Sequence, residues 1–264
     1  VTPAKLAIRG LDVTYIGADG KPIEAVRGFE MEVPDKPGSG EIVVLLGPSG
    51  CGKSTILKCI AGLLAPTAGQ ILAGGRAVVG VGRDRGMVFQ QYTSFGWLTV
   101  RENVEYGLRI AGVGRRERAS AAALHLKLVG LEEFADQYPK SLSGGMKQRV
   151  ALARTLINKP RLILMDEPFG ALDPQTRWEM QTLLLGISHR EDNTIVLVTH
   201  DVSEAVYLAD SCYVLTERPT RVLRCVDVPD FGPRSAALKA AAEFRAVEKE
   251  LLDLLYSNNG NHAS

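Results

Sequence analysis

The stretch Gly47-Pro48-Ser49-Gly50-Cys51-Gly52-Lys53-Ser54-Thr55 constrains this chain more than any other. It follows the apolar run Ile42 to Leu46 directly and precedes the helix-compatible Ile56-Leu57-Lys58. A strand, a glycine-rich loop, Gly-Lys-Ser and a helix in that order match the P-loop pattern. The glycines let the backbone wrap a polyphosphate, so that successive amides and a helix N-terminus face the anion. Lys53 can then reach the β and γ phosphates, Ser54 offers a hydroxyl to Mg²⁺, and Thr55 is placed for an α-phosphate contact. Cys51 reads as a small loop residue rather than a reactive thiol.

Such a loop belongs at the end of a parallel strand, and the rest of the chain supplies a suitable pattern. Short apolar runs alternate with longer helical stretches, as in an α/β domain with a mainly parallel sheet. The expected strands are Leu6 to Val13, Phe29 to Val33, Ile42 to Leu46, Met87 to Phe89, Leu162 to Met165, Ile195 to Thr199 and Ser211 to Leu215. Prolines and glycines in Pro34 to Gly40 imply that the first strands form an antiparallel part entered through turns. From Tyr92 to Pro160 the strand signal gives way to helical patterns, which predicts a helical insert. After Asp173, the residues Met180, Leu183, Leu184 and Ile187 form one apolar stripe, and Asp201 with Glu204 reads as a capping box. Phe244, Val247, Leu251, Leu254 and Leu255 lie at helical spacing, and this helix is expected to pack on the main domain. The polar stretch from Ser257 to Ser264 is expected to be a disordered tail.

Charge and cysteine usage exclude several classes. Lysine and arginine number 31 against 30 acidic residues, a net charge of +1 that provides no field for nucleic acid or an anionic membrane. The longest uncharged stretch, Cys59 to Gly75, is broken by Pro66, Gln70 and several glycines, so no spanning helix is expected. Four cysteines, at 51, 59, 212 and 225, show neither metal-ligand pairing nor disulfide density, and the first residues carry no leader pattern. A reducing, cytosolic setting is the expectation.

A second phosphate motif is Leu162-Ile163-Leu164-Met165-Asp166-Glu167, a buried strand ending in adjacent carboxylates. Asp166 at the strand end can hold Mg²⁺ through water, since a hard divalent ion prefers oxygen and keeps part of its hydration shell. Glu167 points elsewhere and can orient and deprotonate an attacking water. An apolar run ending in Asp-Glu is weak by itself and strong beside a P-loop.

The discriminating segment is Leu142-Ser143-Gly144-Gly145-Met146-Lys147-Gln148-Arg149, which resembles the signature of ATP-binding-cassette (ABC) ATPases. The P-loop, Gln90, this signature, Asp166-Glu167, Ala171-Leu172-Asp173 and His200 occur in that family's order. Independently, Ser143 suits the N-cap of a helix starting near Gly144, and two unobstructed glycine amides with the helix dipole would form another anion-binding end. The resemblance implies an α/β P-loop fold of the ABC ATPase type, a mixed sheet core with an antiparallel β subdomain and a helical subdomain. It implies an ATPase domain over 1–230 with the helical subdomain at about 92–160, a helical extension over 231–256 and a tail over 257–264.

By the same resemblance, Tyr15 stacks on adenine, Gln90 reaches Mg²⁺ and the attacking water, His200 contacts the γ-phosphate and aligns Glu167, and Asp173 crosses a dimer interface. His125, His189 and His262 lack such a setting and read as ordinary. Two cassettes would pack head to tail, each ATP lying between one P-loop and the other's signature, with MgATP hydrolysed. Both half-sites look complete, which favours a homodimer. A transporter motor without a span implies separate permease subunits, a solute-binding protein reached through them, and a peripheral position on the cytoplasmic membrane face. The stretch Tyr92 to Val100 resembles the permease-contacting segment of the nitrate, sulfonate, taurine and bicarbonate importer branch, with Gly96 where that branch has proline. A soluble ABC-type ATPase of DNA repair or translation, and a non-catalytic nucleotide-binding regulator, are the alternatives. The first would bring a coiled-coil insertion or tandem cassettes, and the second would lack a base or a signature.

Overall fold

A computed structural model describes residues 3–35, 40–91, 93–188, 193–232 and 234–257. In chain order it contains β1 (Leu6–Ile16), β2 (Pro22–Val33), β3 (Glu41–Leu46), α1 (Lys53–Ala61), β4 (Ala68–Ala73), β5 (Arg76–Ala77) and β6 (Arg85–Val88). There follow α2 (Val100–Ile110), α3 (Arg115–Leu128), α4 (Gly144–Leu156), β7 (Leu162–Asp166), α5 (Pro174–Ser188), β8 (Thr194–Thr199), α6 (Val202–Leu208), β9 (Ser211–Leu215), β10 (Val222–Asp227) and α7 (Ala242–Ser257). Part of the Pro34 to Gly40 loop, Tyr92, His189, His262 and the expected tail beyond Ser257 lie outside the described residues.

The chain divides into two compact units, Val1–Gly82 with Ser188–Ser264, and Arg83–Ile187. In the first, β2, β1, β4 and β5 form an antiparallel sheet in that order. Beside it, β3 runs parallel to both β8 and β9, while β10 closes antiparallel on β9. Every residue of β3 and β8 is buried, as parallel strands covered on both faces require, which is why these segments read as unbroken apolar runs. Helix α1 buries Ile56, Leu57 and Ile60, and α7 seats Phe244 and Leu251 against α6 and β9.

Three strands of this unit, β4, the two-residue β5 and β10, were not expected. Strand β4 contains Gly69 at φ +82, where a Cβ would fall 2.2 Å from the Gly10 carbonyl oxygen. The close approach makes glycine necessary and hides the strand's alternation. Strand β10 carries mostly exposed side chains, since it leaves the sheet on one side only.

In the second unit β6 and β7 pair in parallel. Helices α2, α3 and α4 enclose a core that includes Val100, Val104, Leu126, Val150 and Ala153. Helix α2 opens on a complete capping box, Thr99 Oγ1 accepting from the Glu102 amide at 3.2 Å and Glu102 Oε2 from the Thr99 amide at 2.8 Å. Among the described residues no helix is long and apolar enough to cross a membrane.

Candidate functional site

Strand register sets the first half of the site. Leu46 pairs with Thr199, so Gly47 and His200 leave adjacent parallel strands at the same sheet edge. That edge, at the carboxyl ends of the strands, is where open α/β sheets bind ligands. Lys53 begins α1 and is buried, its Nζ donating to Gly47 O and Pro48 O at 2.7 Å each. Tyr15, near the end of β1, donates from its hydroxyl to Thr55 Oγ1 at 3.1 Å while its ring stays exposed. Exposed His200 precedes Asp201, which caps α6 by accepting from the Glu204 amide at 3.1 Å.

The loop is braced by a residue no motif predicts. Thr220 is fully buried and its hydroxyl donates to Cys51 O, while its backbone is held by Ala25 O at 3.0 Å and by the Arg27 amide at 3.1 Å. Gly52 stands opposite at φ +126, and a Cβ on it would lie 2.8 Å from Thr220 Oγ1. Left-handed geometry and the tight approach both demand glycine there. Burial pushes the Cys51 thiol up, against the opposing charge of Lys53, as suits an unreactive loop residue.

The second unit carries the remaining predicted residues. Val88 pairs with Met165, so Gln90 and Asp166 follow the same ends of neighbouring strands. Asp166 closes the fully buried β7. Glu167 then adopts φ +42, a turn out of the strand direction that is unusual for a side chain of this size. Its Oε2 lies 3.4 Å from Gln90 Nε2. The expected base and the expected metal- and water-facing glutamine are therefore neighbours.

Ser143 caps α4, its Oγ accepting from the Met146 amide at 3.3 Å. Gly144 is half-buried and Gly145 is buried, with a Cβ on Gly145 falling 2.3 Å from Thr176 Cγ2, so Gly145 meets a neighbouring side chain rather than open space. A cavity of about 230 Å³ beside it is lined by Ser143, Gly145, Met146, Arg149, Thr176 and Glu179, among others. Asp173 is exposed and accepts from the Thr176 amide at 3.1 Å. The Thr176 hydroxyl, and next its amide, hold the Asp173 carboxyl below its ordinary range.

The segment after Tyr92 is held from two helices. Arg154 of α4 donates to Thr93 O at 2.7 Å and to Thr93 Oγ1 at 2.5 Å. Asn103 of α2, fully buried, accepts from the Phe95 amide at 2.7 Å and turns its Nδ2 toward the carbonyls of Phe95, Leu98 and Thr99 at 2.9 to 3.1 Å. Trp97 projects from this segment, 74% exposed. The Thr99-x-x-Glu102 spacing is a local signal that the sequence reading passed over, whereas Thr220 and Thr176 had none.

The family described as "ABC transporter" matches residues 36–170. A nitrate import ATP-binding protein of Synechocystis is 44% identical over 256 residues, 95% of this chain and 94% of that protein. A taurine import ATP-binding protein of Rhizobium johnstonii is 42% identical over 258 residues, 96% of this chain and 97% of that one. An ATP-binding cassette solved as a dimer in a post-hydrolysis state with ADP and Pi superposes with a TM-score of 0.74 at 33% identity, covering 86% of this chain and 100% of that chain. With the glycine-rich loop, the capped signature helix and the strand-end carboxylates in place, the chain belongs to the ABC transporter family, whose ATP-binding subunits hydrolyse ATP to drive transport.

Proposed function

We propose that this chain is the ATP-hydrolysing subunit of an importer for a small anion such as nitrate, a sulfonate, taurine or bicarbonate. The kinship with nitrate and taurine import proteins over nearly the full chain supports the solute class. The observation that carries the chemistry is Glu167, turned at φ +42 from the end of a buried strand with its carboxylate 3.4 Å from the Gln90 amide.

In this reading the loop amides from Gly47 to Gly52 and the Lys53 ammonium neutralise phosphate charge, Thr55 meets the α-phosphate and Tyr15 stacks on adenine. Ser54, Gln90 and Asp166 would hold Mg²⁺. A hydroxyl, an amide carbonyl and a carboxylate form the oxygen donor set that a hard ion takes, and the contact of the Gln90 amide nitrogen with Glu167 leaves its carbonyl oxygen for the metal. When bound, Mg²⁺ offsets charge on the β and γ phosphates. Glu167 takes the proton of the attacking water, and His200 keeps water and γ-phosphate in line. Ser143, Gly144, Gly145 and Asp173 act on the nucleotide of a second, identical subunit. Two such subunits bind permease subunits at the cytoplasmic face of the inner membrane, through the Trp97 segment, and a solute-binding protein delivers solute to the permease. The ATPase domain takes 1–230, with a helical subdomain at about 92–160 and an appended helix over 231–256.

Replacing a positioned general base costs roughly 10² to 10⁴ in rate, so Glu167→Gln should nearly stop phosphate release while leaving ATP bound. Analytical ultracentrifugation of that variant with MgATP should show a dimer absent without nucleotide. A persistent monomer at high protein concentration would refute the shared-site reading, and copurification without any membrane protein would refute the transporter assignment.

A further inference from the structure

Thr176 touches two segments that the nucleotide reading treats separately. Its Cγ2 occupies the space in which a Cβ of Gly145 would sit, 2.3 Å from the ideal position. The nearest other atoms to that position are also from Thr176, its Cβ at 3.7 Å and Oγ1 at 3.9 Å, both ordinary contact distances. The obstruction is therefore one methyl group. On its other side the same residue donates its amide to Asp173 Oδ1 at 3.1 Å, and its hydroxyl faces the same carboxylate.

Gly145 lies within the first turn of α4 and has no positive φ, so its backbone does not call for glycine. Alanine is the better helix former there. Packing, not conformation, explains the residue.

We infer that Thr176 is a positioning residue that locks the N-terminus of α4 to the Asp173 turn, its methyl seated on Gly145 and its amide and hydroxyl holding Asp173. The inference rests on the reading of Ser143 to Gly145 and Asp173 as nucleotide-facing segments. It adds that the two segments are set by a common residue, so a displacement of one is transmitted to the other. Nucleotide affinity, which belongs to the P-loop of the same chain, is outside this linkage.

The test is a mutant cycle on the full chain, read by MgATP turnover, thermal midpoint and titration with a fluorescent ATP analogue. Gly145→Ala should cut turnover by about tenfold or more and lower the midpoint, with nucleotide affinity retained. Thr176→Ser removes the methyl and keeps the hydroxyl. Combined with Gly145→Ala it should return the thermal midpoint to that of Thr176→Ser alone and turnover to within about threefold of it, a strongly non-additive outcome. Thr176→Val keeps the methyl and should give no rescue. A serine double variant as impaired as Gly145→Ala, or a Gly145→Ala protein equal to the parent in both turnover and midpoint, overturns the inference. Ser143→Arg, which blocks the signature while leaving Gly145 and Thr176 themselves unaltered, tests the underlying reading separately. Full turnover in Ser143→Arg would sink that reading, while the midpoint rescue in the cycle stands or falls on its own.

Discussion

The Tyr15 hydroxyl donates to Thr55 Oγ1 at 3.1 Å, linking the antiparallel sheet to the helix that follows the phosphate loop. The bond fixes the ring's place beside that loop and leaves its surface exposed. Tyr15→Phe keeps the ring and should change the KM for MgATP by no more than about twofold. Tyr15→Ala removes an aromatic platform worth about 1 kcal/mol and should raise KM roughly fivefold. Steady-state kinetics on both variants decide it. Equal KM values for parent and alanine variant would remove Tyr15 from the site.

Thr220→Val keeps the shape of the brace beneath the phosphate loop and deletes its donor. The buried Cys51 carbonyl then loses its partner, which should cost about 1–3 kcal/mol in urea unfolding. The loop should loosen as well, weakening ATP binding with little change in kcat. Unchanged stability and affinity would show that the contact is incidental.

Much of the fold was legible because its central strands are short, apolar and buried on both faces. The expected Ile42 to Leu46, Leu162 to Met165, Ile195 to Thr199 and Ser211 to Leu215 differ from the observed strands by a residue at most. Strand β2 was only half visible, because the stretch before Phe29 is mostly polar or exposed. The site divides along the same physical line. The P-loop, the signature and Asp166-Glu167 are contiguous, so residue type and spacing declare them. Thr220 acts on Cys51 across 169 residues, and Thr176 acts on Gly145 through a tertiary contact, so neither leaves a trace in local pattern.

Burial raises the Cys59 thiol from its ordinary 9.0 to about 11. Below pH 9 the folded and unfolded chains both keep this proton. Between pH 9 and about 11 the unfolded chain releases it and the folded chain does not, so stability falls as pH rises through this window. Cys59→Ala lacks that slope. Denaturant unfolding in steps from pH 8 to about pH 10 should show a steeper loss for the parent than for the variant, and parallel profiles would contradict the assignment.

Asn103→Leu tests the hold on the segment before α2. The substitution strips the Phe95 amide of its acceptor and the Phe95, Leu98 and Thr99 carbonyls of their side-chain donor, a loss of about 3 kcal/mol. Limited proteolysis should then cut near Trp97 faster than in the parent. A protein equally resistant and equally stable would mean that the segment is held by other contacts.

Glu167 pays for its direction with a left-handed backbone. Such a conformation costs an ordinary L-residue about 1–2 kcal/mol, which glycine avoids. Endurance and catalytic competence therefore pull against each other at one residue. Selection for heat resistance alone, with turnover unscreened, should replace this glutamate with glycine or asparagine and enrich sturdier proteins that no longer cleave ATP.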